Sequence, residues 1–144
     1  MERERELREI REAIEAGLVT KNYLVLARES LDSAAGFGIA DMLGMDFIGG
    51  IGKHMKMRDA QGYLEQAQRQ VERFQAELKD VNQVLDMKLT IDGFLSFADF
   101  FLDGLFVDFY VQSKISDAKR QVDNGICQVE RILDELYQME SRLL

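Results

Sequence analysis

One stretch of this chain occurs twice, in register and without a gap. Ala40-Asp41 aligns with Ala98-Asp99, Lys56 with Lys114, and Asp59-Ala60 with Asp117-Ala118. The match runs on through Gln70-Val71-Glu72-Arg73 with Gln128-Val129-Glu130-Arg131, Glu77-Leu78 with Glu135-Leu136, and Leu85 with Leu143. Matches at one fixed spacing mark a structural unit used twice, whose copies must pack by similar rules. The reading is a single helical domain over 1–144, with an N-terminal helix over 1–35, copy one over 36–86 and copy two over 94–144. Each copy begins with an apolar segment rich in Gly or Phe and continues as a long helical pattern.

Those long patterns can be read position by position. Met57, Ala60, Leu64, Ala67, Val71, Phe74, Leu78, Val81 and Leu85 alternate spacings of three and four, which puts them on one helical stripe. Ile115, Ala118, Val122, Gly125, Val129, Ile132, Leu136, Met139 and Leu143 repeat the stripe. Small residues fall at the same early places, Ala60/Ala118 and Ala67/Gly125, so a partner helix can approach closely there. Gly125 is unfavourable in a helix interior by roughly 1 kcal/mol relative to alanine, so its place in the stripe predicts a packing reason. Near the N-terminus, Glu4-Arg8, Arg5-Glu9, Arg8-Glu12 and Arg11-Glu15 sit at i, i+4 beside Leu7, Ile10 and Ile14. That predicts a third long helix, with a kink expected at Gly17. The chain has no proline, so nothing of that kind interrupts the helices. The predicted fold is all-α: an elongated antiparallel bundle of three long helices with coiled-coil-like seams and an internal duplication.

The formal net charge of −8, with bases interleaved among acids, argues against nucleic acid and against anionic membranes as partners. A single cysteine, Cys127, rules out an intrachain disulfide and reads as a partly buried, inert thiol. The charged start has no apolar core of the kind a secretory signal needs, and the expected location is cytoplasmic.

The apolar segments are the candidate functional surface. Gly36 to Gly52 carries Phe37, Ile39, Met42, Leu43, Met45, Phe47, Ile48 and Ile51, and Phe94 to Val111 carries Phe94, Phe97, Phe100, Phe101, Phe106, Phe109 and Tyr110. Asp99, Asp103 and Asp108 lie inside the second, and each costs roughly 3 kcal/mol near a bilayer centre, so a membrane span is rejected. The expected contact surface is Phe97, Phe100, Phe101, Leu105, Phe106 and Phe109 with Phe47 and Ile48. Lys88 to Gly93 reads as an extended turn. Asp41, His54, Asp99 and Asp103 form a candidate polar cluster, Asp99 and Asp103 being one helical turn apart. Metal chemistry of helical bundles normally comes with an ExxH pair, absent here, so no catalytic, metal or cofactor residue is assigned. The aspartates read instead as helix-start residues: Ser96 with Asp99 and Gly38 with Asp41 in the short segments, Asp59 and Asp117 near the starts of the long helices. Gly49-Gly50-Ile51-Gly52-Lys53 lacks the spacing of a phosphate loop.

The run Phe37-Gly38-Ile39-Ala40-Asp41-Met42-Leu43-Gly44, followed by Gly49-Gly50, Lys53-His54, Lys56 and Asp59-Ala60-Gln61, resembles a motif in a group of uncharacterised bacterial all-helical proteins. Phe97-Ala98-Asp99 with Asp103, Asp108 and Val111-Gln112-Ser113-Lys114 is similar to the second half of that pattern, though tryptophans typical of the group near Phe37 and Ala40 are missing. The resemblance implies an intracellular helical protein and no particular activity.

The function expected from the sequence is a non-catalytic structural or protein-interaction module, self-associating as a homodimer or engaging another protein. The alternative is peripheral membrane or apolar-ligand binding through the Gly/Phe-rich segments, followed by a metal-dependent enzyme using the aspartates.

Overall fold

The computed structural model describes residues 2–35, 46–85, 89–103 and 112–144, and the side chains of 2–32, 60–85, 89–103 and 115–144. These residues form four helices: α1 (Glu2–Ala35), α2 (Asp46–Val84), α3 (Asp92–Leu102) and α4 (Gln112–Leu143). Three are long, at 34, 39 and 32 residues, and α3 has 11. At 1.5 Å per residue the long ones span roughly 50 Å.

Side-chain pairs fix the directions. Thr20 meets Gln70, and Gly17 lies against Phe74, so α1 and α2 are antiparallel. Arg11 meets Glu140 and Arg28 meets Asp123, so α1 and α4 are antiparallel too. Gln128 lies against Gly93 and Phe97 against Gly125, so α3 runs opposite to α4, and Phe74 beside Phe94 with Gln68 beside Phe101 gives the same relation to α2. α1 and α3 each pack on both α2 and α4, while among the described residues neither α1 and α3 nor α2 and α4 come into close backbone contact. The cross-section is a four-membered ring with α1 diagonal to α3 and α2 diagonal to α4.

The heptad stripes become the core. Ala60, Leu64, Ala67, Val71, Phe74, Leu78 and Val81 of α2 are buried, as are Ile115, Ala118, Val122, Gly125, Val129, Ile132, Leu136 and Met139 of α4. Ile10, Ala13, Leu24, Ala27 and Leu31 supply the α1 side. Opposite charges lace α1 to α4: Arg11–Glu140 at 3.0 Å, Lys21–Glu130 at 3.8 Å, Arg28–Asp123 at 2.6 Å and Lys119–Asp32 at 2.9 Å. Such exposed pairs are each worth well under about 1 kcal/mol, so they set register more than stability. Arg28, bonded to Asp32 and Asp123, titrates higher than a free arginine, and Asp32, bonded to Arg28 and Lys119, titrates lower than a free aspartate. Thr20, fully buried, has its hydroxyl 2.7 Å from the Ala16 carbonyl and 3.0 Å from that of Gln70. One hydroxyl hydrogen serves these two acceptors, pinning the α1–α2 register from inside.

Several local expectations change. Gly17 lies inside α1, and its missing side chain has a packing role, accommodating the Phe74 ring: a Cβ there would lie 2.8 Å from the ring tip and 2.9 Å from Leu133. α2 already begins at Asp46, so the end of the first apolar segment is helical and Asp59 is a helix-interior residue. α3 begins at Asp92, with Ile91 at its N-cap, so Ser96 and Asp99 do not start a helix. Burial chose that start, since Leu89 and Ile91 are anchored in the core. The Leu89 amide donates to Asn82 Oδ1 at 2.7 Å and the Thr90 amide to Glu135 Oε1 at 3.3 Å. Residues 89–91 are non-helical, as the turn reading predicts, but Asp92 and Gly93 belong to α3. Cys127 is exposed, not partly buried, because its position falls on the outer side of α4.

Candidate functional site

α3 divides the phenylalanines of the second apolar segment by face. Phe94, Phe97 and Phe101, at spacings of three and four, point inward with Ala98 and are buried. Phe94 meets Phe74 edge-on at 5.2 Å between ring centroids, and Phe97 stacks on Phe101 at 5.0 Å and 24°. Edge-on and offset contacts of this kind add about 0.5–1.5 kcal/mol each beyond burial. Phe97 and Phe101 therefore leave the expected contact surface: they close the core of a single chain. Gln68 Nε2 donates to the Phe101 carbonyl at 2.9 Å, satisfying one of the carbonyls that the end of α3 leaves without a helical partner.

Phe100 is the exception, 47% exposed. Asp92, Ser96, Asp99 and Asp103 are exposed with it, which makes a solvent-facing stripe along α3. Of the other expected contact residues, Leu105, Phe106 and Phe109 lie outside the described residues, and Phe47 and Ile48 fall within α2 where side chains are not described. Asp41 and the His54 side chain are likewise outside, so the described half of the proposed polar cluster is Asp99 and Asp103, both on the surface.

Among the described residues, the carboxylates that converge are different ones. Glu9 and Glu12 of α1 and Glu77 of α2 each bring an oxygen to within 4.8 Å of the others. Oxygens so placed are the donor type that hard cations take. Burial pushes the Glu77 carboxyl above its ordinary value, Glu12, Asp80 and Glu9 add to the rise, and Arg73 opposes it. Its Oε2 is enclosed without a hydrogen-bond partner. The i, i+3 spacing of Glu9 and Glu12 is visible in the sequence, but their meeting with Glu77 depends on the α1–α2 register.

Because the folded protein holds the Glu77 proton more tightly than the unfolded chain, this carboxyl favours folding below its unfolded pKa. That contribution is lost as pH rises through the folded value. Glu77→Gln is expected to raise stability at pH 7 by about 1 kcal/mol, from relief of three like-charge neighbours, and to leave stability nearly unchanged at pH 4. Urea unfolding at both pH values checks this. Equal gains at the two pH values would mean that charge is not the cause.

The chain matches no protein-family model, curated protein or solved structure. The functional reading therefore rests on its own residues. Among the described residues, no helix is long and apolar enough to cross a membrane.

Proposed function

We propose that the protein is a non-catalytic structural or protein-interaction module that works in the cytoplasm as a homodimer. The observation that carries this is the completion of the described core within one chain. Phe94, Phe97 and Phe101 are already buried against α2 and α4, yet the same segment continues with Leu105, Phe106, Phe109 and Tyr110. A small bundle with its core filled has little internal use for further large apolar side chains, and a second copy is the simplest cover for them. Phe106 and Phe109, with Phe47 and Ile48 of the first copy, are the proposed dimer contacts.

The duplication belongs to the same reading, with coiled-coil-like seams and the resemblance to the bacterial helical group as its context. Matched residues face α1 in copy one and α3 or the residues before it in copy two, by different contacts. The Gln70 carbonyl takes Thr20 of α1, while Gln128 lies against Gly93 of α3. Glu77 faces Glu9 and Glu12 of α1, while Glu135 takes the Thr90 amide just before α3.

Native mass spectrometry tests the proposal. A homodimer free of metal and ligand is expected for the unmodified chain, and Phe106→Asp should return it to monomer with the far-ultraviolet circular dichroism unchanged. A monomer at micromolar concentration, or a retained metal or apolar molecule, would overturn the reading.

A further inference from the structure

We draw no further inference here: the strongest candidate, the cluster of Glu9, Glu12 and Glu77 carboxylates at the seam between α1 and α2, belongs to the site already described and is an acidic cluster whose Glu77 is only partly buried, with nothing else at it that points to a ligand.

Discussion

Phe74→Ala is expected to remove about 4 kcal/mol of folding stability, near the upper part of what buried large-to-small changes cost. The ring is fully buried where all four helices converge. Its tip fills the space left by Gly17 of α1, its edge meets Phe94 of α3, and Leu133 of α4 closes on the same spot. Alanine would leave a cavity that none of these helices can collapse into, because the Thr20 hydroxyl and the ion pairs of α1 hold their register independently. Domains of this size have only about 5–15 kcal/mol in total, so the variant is expected to be partly unfolded at 37 °C. Phe74→Leu, which keeps most of the volume, should cost about 1.5 kcal/mol and keeps the prediction measurable. Urea denaturation followed by circular dichroism gives both values. A loss below about 1 kcal/mol for Phe74→Ala would show that the ring is not at the junction.

The importance of Phe74 was readable in part. Its position on the stripe from Ala60 to Val81 follows from spacing alone, because a period between three and four residues encodes a buried helix face. The described positions of both stripes are buried for that reason, except Leu85 and Leu143, half-buried at the ends. What spacing does not carry is which helix receives the stripe. The sequence gives no local sign that Gly17 is a socket for a ring from α2, and a glycine inside a charged helical run reads as a kink. α3 is the clearest example of a tertiary effect overriding a local one. Ser96 followed by Asp99 looks like a helix start, but burial of Leu89 and Ile91 and the bond from Asn82 place the start at Asp92. The three-and-four spacing of Phe94, Phe97 and Phe101 turns them inward and leaves Phe100 outside. The Glu9, Glu12 and Glu77 group was invisible for the same reason: two of its members are four residues or fewer apart, but the third arrives through the α1–α2 register.

Gly125→Ala should destabilise the protein by about 2 kcal/mol, although the same change in an open helix normally stabilises by up to about 1 kcal/mol. A Cβ at Gly125 would sit 2.3 Å from Cζ of Phe97, 2.7 Å from Cε1 and 3.0 Å from Cε2. The ring cannot swing aside cheaply, since it stacks on Phe101 and lies 6.0 Å from Phe94. Either α4 moves away from α3 or the aromatic stack is broken. Gly62 supplies the internal comparison, because nothing lies within 4 Å of a Cβ there and it is exposed on α2. Gly62→Ala is therefore expected to stabilise by about 0.5–1 kcal/mol. Shrinking the ring should relieve the clash: in a double-mutant cycle, Gly125→Ala and Phe97→Leu together should cost about 1–2 kcal/mol less than the sum of the two alone. If Gly125→Ala instead stabilised as much as Gly62→Ala, the Phe97 ring would not be wedged against α4. The short helix would then be seated by Phe94 and Phe101 alone, and the glycine in the α4 stripe would have lost its packing explanation.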